Sequence, residues 1–82
     1  MKNPAGIKAF GLHLRQLRES RQLSQQALAD GADVSKLTIQ RIEHAKGAPT
    51  LDVLISLAHA LEVPLRDLVA FPESSNTSLP SQ

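Results

Sequence analysis

The amino-acid sequence predicts an all-α protein, a compact bundle of five short helices. Apolar residues recur three and four positions apart in successive segments, and this spacing places them on one face of a helix. Residues that favour a helix start precede these segments, and no segment alternates polar and apolar residues as a half-buried strand does. The chain has 82 residues, of which 41% are hydrophobic. This length suits one small domain with a single aliphatic core.

The first predicted helix begins close to the N-terminus. Asn3 is a suitable cap, Pro4 fits the first helical position, and the helix ends near Arg21. One apolar stripe runs along this helix and consists of Ile7, Phe10, Leu14 and Leu17.

Two short helices follow, separated by a break of about three residues. Ser24 is expected to cap the first of them, Gln25–Ala32, and Ser35 the second, which runs to about His44. Together they give the layout of a helix-turn-helix motif over residues 25–44.

The remaining sequence predicts two more helices and a tail. Thr50 caps the segment "LDVLISLAHALE", and Pro64 starts a final helix of one or two turns. The inner stripe of the fourth helix is predicted to be Leu51, Leu54, Ile55, Ala58 and Leu61. We expect residues 1–71 to form the domain and the polar residues 72–82 to form a disordered tail.

Composition excludes several classes of protein. The chain has no cysteine, so neither disulfides nor thiolate metal sites hold it together. No apolar run approaches the roughly 20 residues needed to span a bilayer, and the N-terminus lacks the apolar stretch of a signal peptide. We therefore expect a cytoplasmic protein that makes no membrane contact.

Charge is distributed unevenly along the chain. Residues 1–46 carry eight basic and four acidic side chains, a net charge of +4, whereas residues 47–82 carry one basic and four acidic side chains, a net charge of −3. This asymmetry is typical of a module with one surface that faces an anionic partner.

The sequence does not predict an enzyme. His13, His44 and His59 lie on separate predicted helices or helix ends, too far apart for a metal-binding pattern. There is no glycine-rich phosphate loop and no activated nucleophile. We expect no catalytic residue, metal or cofactor.

The segment "VSKLTIQRIE" raises a question about its outer face. Its inward residues at helical spacing are Val34, Thr38, Ile39 and Ile42. That spacing leaves Leu37 on the solvent side, among Lys36, Gln40 and Arg41. An exposed leucine there suggests a surface that a partner covers.

Five motifs in fixed order resemble the Cro/phage-repressor type of helix-turn-helix, also called the XRE family. They are "LR..R.LSQ" from Leu17, "LA" at Leu28, "VS..TI.RIE" from Val34, "PTL" from Pro49 and "LA.AL.VPL..L" from Leu57. The resemblance covers about residues 10–70. It implies a lambda-repressor-like fold and a transcriptional regulator, such as a repressor, that binds double-stranded DNA through the second helix of the motif.

The resemblance also implies roles for individual residues. Candidate readers of base edges are Ser35, Lys36, Leu37, Gln40 and Arg41. Candidate phosphate contacts are Gln25, Thr38, His44 and Lys46. Arg18 and Glu43 match the buried ion pair of the family, which ties the first helix to the end of the recognition helix.

The chain departs from the family pattern at two turns. Asp33 and Ala45 stand where glycine is usual. Aspartate tolerates the left-handed backbone conformation better than most residues, whereas alanine does not. We therefore expect Gly47 to absorb the conformation that glycine would adopt at position 45.

One recognition helix covers only a few base pairs, so we expect a homodimer on an inverted-repeat operator. The apolar residues near the C-terminal end of the domain exceed what a helix of one or two turns needs for its own packing. The predicted dimer contacts are Leu65, Leu68, Val69 and Phe71. The alternative function is a protein-interaction module on the same fold, an antitoxin or adaptor with a partner such as a toxin, in which Leu37 contacts protein.

Overall fold

Five helices make up residues 3–71, the part of the chain that the computed structural model describes. They are α1 (Pro4–Ser20), α2 (Gln25–Ala32), α3 (Lys36–Glu43), α4 (Leu51–Leu61) and α5 (Leu65–Val69). No residue of this range lies in a strand. The all-α, five-helix prediction is confirmed, and the predicted tail, residues 72–82, lies outside the described residues.

Hydroxyl side chains start three of the helices as predicted. The Ser24 and Ser35 hydroxyls accept hydrogen bonds from the N–H groups of Ala27 and Thr38 at 3.0 and 3.1 Å. Thr50 does the same for Val53 at 3.2 Å. Each of these bonds satisfies one of the backbone donors that a helix N-terminus leaves unpaired.

The predicted N-cap residue of α1 does not cap the helix through its side chain. Asn3 occupies the N-cap position, but its side chain makes no capping hydrogen bond, and its φ and ψ are −130° and 69°. The start of α1 therefore depends on Pro4, whose ring fixes φ near the helical value.

Helix α2 lies at the centre of the core, against both α3 and α4, while α1 packs on α3 and α5. The fully buried large side chains are Leu14, Leu28, Ile39, Leu57, Leu61 and Leu68. The aromatic pair Phe10 and Phe71 meets edge to face at 5.6 Å, and His13 Nε2 lies 3.0 Å from the Asp67 carbonyl oxygen. These contacts attach the C-terminal end of the domain to α1.

The predicted inner stripe of α4 is wrong at two positions. Leu51 and Ile55 are 64% and 40% exposed, whereas Leu57, which the predicted stripe does not include, is fully buried. Helix α4 is apolar around most of its circumference, so periodicity alone does not select the face that packs against α2. Two large apolar side chains are thereby left on the surface.

Four turns between helices contain a left-handed residue, and none of these residues is glycine. They are Gln22, Asp33, Ala45 and Glu62, with φ of 58–59°. In each turn the next N–H donates to the carbonyl five residues earlier, at 2.7–3.1 Å, which satisfies a carbonyl of the preceding helix end. We expected Gly47 to adopt the left-handed conformation in place of residue 45. This prediction is wrong, because Ala45 itself has φ 58° and no glycine has positive φ.

The strain at Ala45 leads to a stability prediction. A non-glycine residue in the left-handed region costs about 1 kcal/mol, so Ala45→Gly should raise the free energy of unfolding by roughly 0.5–1 kcal/mol after the greater freedom of glycine in the unfolded chain is included. For a domain of this size, 1 kcal/mol corresponds to a rise in Tm of roughly 4–8 °C.

Thermal denaturation followed by circular dichroism measures this change. Ala48→Gly is the matched control, because Ala48 lies in the same loop without a positive φ and should gain no stability. Equal Tm values for Ala45→Gly and Ala48→Gly would contradict the strain at position 45.

Candidate nucleic-acid interface

Helix α3 has one buried side and one exposed side. Ile39 and Ile42 are 0% and 4% exposed, which fixes α3 against the core. On the opposite side, Leu37 is 58% exposed. Lys36 and Arg41 are also exposed, and Gln40 is half-buried. Four of the five predicted base readers therefore lie along one accessible surface of α3.

The fifth predicted reader, Ser35, has a structural role in the free protein. Its hydroxyl accepts the N–H of Thr38 at 3.1 Å and lies 2.9 Å from the Thr38 hydroxyl. This arrangement begins α3 and holds the two hydroxyls against each other. Ser35 is exposed, so a partner can reach its hydroxyl.

Arg18 and Glu43 form a bidentate ion pair between α1 and the end of α3. Arg18 Nε lies 2.7 Å from Glu43 Oε2, and Arg18 Nη2 lies 3.1 Å from Oε1. Each residue is 9% exposed. The hydrogen bond to Glu43 raises the pKa of Arg18 against the lowering effect of burial, so the guanidinium stays charged. Its Nη1 also donates to the Leu23 carbonyl at 2.8 Å.

Gln25 joins this ion pair, a contact that the sequence did not indicate. Its amide Nε2 donates to Glu43 Oε1 at 3.1 Å, which links the start of α2 to the end of α3. An amide nitrogen has two hydrogens, so one remains for a second acceptor. The side chain of Gln25 is thus held in place with one donor unused by Glu43.

The other predicted phosphate contacts lie in α3 and in the loop that follows it. His44, the C-cap residue, and Lys46 are exposed, while Thr38 is half-buried. Lys46 lines a surface groove together with Lys8 of α1. Lys8 was missed because α1 lies outside the motif, and the resemblance assigned only Arg18 of α1 to the end of α3.

The four predicted dimer contacts differ in accessibility. Leu68 is fully buried in the domain core, so the interpretation that it exceeds the needs of its own fold is wrong. Leu65 and Phe71 are half-buried and pack against the core, whereas Val69 is 44% exposed. Val69 and Phe71 line an open groove with Leu54 of α4.

Helix α4 has two exposed apolar side chains, Leu51 and Ile55, that we predicted to lie in the core. Leu51 precedes Leu54 by three residues and Ile55 by four, so it is a neighbour of both on the surface of α4. We refer to Leu51, Leu54, Ile55 and Val69 as the α4–α5 apolar surface.

Residues 3–71 show no sign of a metal site. No three His, Cys, Asp or Glu side chains in this part of the chain lie close enough to hold an ion. Nor is any helix within it long and apolar enough to cross a membrane.

Comparison with protein families and with known regulators gives a consistent result. The helix-turn-helix family model matches residues 14–68. The HTH-type transcriptional regulator SutR of Escherichia coli K12 is 35% identical over 66 residues, which are 80% of this chain and 37% of SutR. The HTH-type transcriptional repressor RghR of Bacillus subtilis 168 is 41% identical over 64 residues, which are 77% of this chain and 47% of RghR. The chain therefore spans less than half of the length of either regulator.

Solved structures share the fold. The restriction-modification controller protein C.AhdI of Aeromonas hydrophila superposes with a TM-score of 0.74 at 31% identity, over 76% of this chain and 94% of that protein. The P22 c2 repressor, solved in complex with a synthetic operator, has a TM-score of 0.68 at 26% identity, over 74% of this chain and 92% of the repressor.

The buried ion pair leads to a stability prediction. Glu43→Ala leaves the Arg18 guanidinium buried without its partner and should lower the free energy of unfolding by about 3–5 kcal/mol, measured by urea denaturation. Glu19→Ala is the control on α1, the helix that carries Arg18, because it breaks the Arg15–Glu19 pair, whose side chains are 55% and 54% exposed.

The control should cost less than about 0.5 kcal/mol. A loss below about 1 kcal/mol for Glu43→Ala would mean that the Arg18–Glu43 pair does not hold α1 and α3 together.

Proposed function

Because the chain belongs to the helix-turn-helix family of DNA-binding transcription regulators, of the XRE type, we propose that it is a sequence-specific regulator that binds double-stranded DNA with α3 in the major groove. The observation that carries this proposal is the accessible side of α3. It presents Lys36, Leu37, Gln40 and Arg41 from a helix that the core holds on its other side. The P22 c2 repressor, which shares the fold, was solved in complex with a synthetic operator, and this supports operator binding by a domain of this fold.

The chemistry of the exposed side of α3 suits base edges. Lys36 and Arg41 are donors that match guanine O6 and N7, and Gln40 matches the donor and acceptor of adenine. Leu37 fits the methyl group of thymine. Leu37 is 58% exposed in the free protein, and a thymine methyl group that covered it would remove apolar surface from water.

Phosphate contacts are proposed around the same helix. Gln25 supplies its second amide hydrogen, and the first N–H groups of α2 lack partners within the helix and favour an anion. Thr38, His44 and Lys46 extend this contact along α3 and the loop after it, and Lys8 lines the same groove as Lys46. The net charge of +4 over residues 1–46, the part of the chain that includes α2 and α3, supports an anionic partner.

We further propose a homodimer on an inverted-repeat operator, with half-sites about 34 Å or a multiple of that distance apart. The α4–α5 apolar surface is the proposed contact between subunits, together with the half-buried Leu65 and Phe71. Leu68 is not part of it, because the domain core covers that side chain.

Binding to DNA is tested by enrichment of genomic fragments on the purified protein, followed by titration at several salt concentrations. The logarithm of the affinity should fall with the logarithm of the salt concentration, with a slope of about −0.9 per phosphate contact. Undetectable binding at low salt would refute the proposal and favour the protein-interaction module, in which Leu37 contacts a protein partner such as a toxin.

Two substitutions separate base reading from phosphate binding. Arg41→Ala should reduce discrimination between the selected duplex and its single-base variants by ~1–3 kcal/mol at one position. Lys46→Ala should weaken binding to all sequences alike and make the salt slope shallower by about 0.9.

Arg66→Ala is the control, because Arg66 is an 86% exposed cation on α5 and should change neither quantity. The measurement is fluorescence anisotropy with labelled duplexes. If Arg41→Ala weakened binding to every sequence equally, Arg41 would be a phosphate contact and not a base reader.

A charge on the α4–α5 apolar surface should prevent association. We expect Ile55→Glu combined with Val69→Glu to convert a dimer to a monomer, because the carboxylates would be buried without partners in the interface. Size-exclusion chromatography with light scattering measures the mass at several concentrations.

Leu12→Glu is the matched control, because Leu12 is a 51% exposed leucine on α1 outside this surface, and it should leave the dimer intact. A wild-type protein that remains monomeric at the highest concentration would rule out the dimer.

A further inference from the structure

Helix α1 approaches the last turn of α3 so closely at Gly11 that no side chain fits. Gly11 is buried. A Cβ atom at this position would lie 2.5 Å from the Ile42 carbonyl oxygen and 3.0 Å from that of Glu43. These atoms belong to the backbone of α3, so they cannot turn aside as the end of a flexible side chain does.

The other three glycines make no comparable contact. A Cβ at Gly31 would meet the Ala60 Cβ at 3.3 Å, one at Gly6 would meet the Asn3 Cβ at 3.9 Å, and one at Gly47 would meet nothing within 4 Å. Glycine in the interior of a helix is unfavourable relative to alanine. Glycine at position 11 therefore lowers the intrinsic stability of α1 but allows its close contact with α3.

Two contacts from α1 meet at the same end of α3. Gly11 lies against the carbonyls of Ile42 and Glu43, and Arg18, two turns further along α1, holds the Glu43 carboxylate. The first contact sets how closely the two helices approach, and the second prevents them from separating. Because α3 is only eight residues long, a shift of its last turn changes the position of the whole helix.

We propose that Gly11 is a positioning residue for DNA reading: its missing side chain sets the depth and tilt at which α3 presents its exposed side. This inference rests on the proposed function. Real Cβ atoms essentially never lie closer than 3.0 Å to another atom, so a methyl group at position 11 requires the backbones of α1 and α3 to move apart by about 0.5 Å. Functional groups must be held within about 0.5 Å of their working geometry.

The test uses the full chain and four proteins: the wild type, Gly11→Ala, Gly31→Ala, and Gly11→Ala combined with Glu62→Gly. Gly31→Ala is the matched control, because its added methyl group meets a side chain of α4 and not α3. Glu62→Gly removes a left-handed glutamate after α4, which restores stability if Gly11→Ala alone does not fold.

Affinities are measured for a duplex that the wild type selects from a random-sequence library and for poly(dI-dC). Gly11→Ala should bind the selected duplex about 10-fold or more weakly, the loss of at least one base contact. Its affinity for poly(dI-dC) should change by less than about 2-fold, because phosphate contacts tolerate a small shift. Gly31→Ala should change either affinity by less than about 2-fold.

Residual dipolar couplings of the backbone amides report the orientation of α3 relative to α4 without DNA. We expect α3 to be reoriented in Gly11→Ala and unchanged in Gly31→Ala. An unchanged α3, or equal losses of affinity for both DNA probes, would overturn the proposal. If the wild type shows no sequence preference, the proposed function fails, and the dipolar couplings still decide whether Gly11 sets the orientation of α3.

Discussion

The ion pair between Arg18 and Glu43 is the interaction on which the arrangement of the first three helices depends. Two buried charges are unfavourable unless each has partners in good geometry. Here Glu43 accepts from Arg18 and Gln25, and Arg18 also donates to the Leu23 carbonyl. The network therefore contacts α1, the turn after it, the start of α2 and the end of α3. Other relative positions of these elements leave at least one buried polar group without a partner.

Both ends of α3 are fixed, and they are fixed by different means. The Ser35 hydroxyl satisfies a backbone donor at the N-terminus, while Glu43 and the close contact with Gly11 hold the C-terminus. Ile39 is fully buried between these two ends. The backbone of α3 is therefore ordered before any partner binds, which reduces the conformational entropy lost on binding.

Local features of the fold were predictable from the sequence, because they depend on residues a few positions apart. Ser24, Ser35 and Thr50 each bond an N–H group three residues ahead, and the all-helical pattern follows from apolar spacing. Arg18 and Glu43 are 25 residues apart, and their pairing was expected only from resemblance to a family.

Features that depend on three-dimensional packing were not predictable in the same way. Helix α4 is apolar on most sides, so the exposure of Leu51 and Ile55 depends on where α2 and α5 lie. Leu68 was predicted to be a dimer contact because a helix of one or two turns needs few apolar contacts of its own, yet the core encloses it completely. The contact of Gly11 with α3 was missed for the same reason, since a glycine within a helix gives no sign of what lies against it.

Helix α1 contacts both α3 and the C-terminal segment of the domain. Gly11 and Arg18 contact α3, while Phe10 and His13 hold the C-terminal segment at Phe71 and Asp67. With 17 residues it is about 25 Å long. In the proposed dimer, α1 is a rigid helix that connects α3, the DNA-reading helix of each subunit, to the contact between subunits. The separation between the two reading helices would then depend on α1 of each subunit, and we expect an operator whose spacing matches the protein with little tolerance for an added base pair.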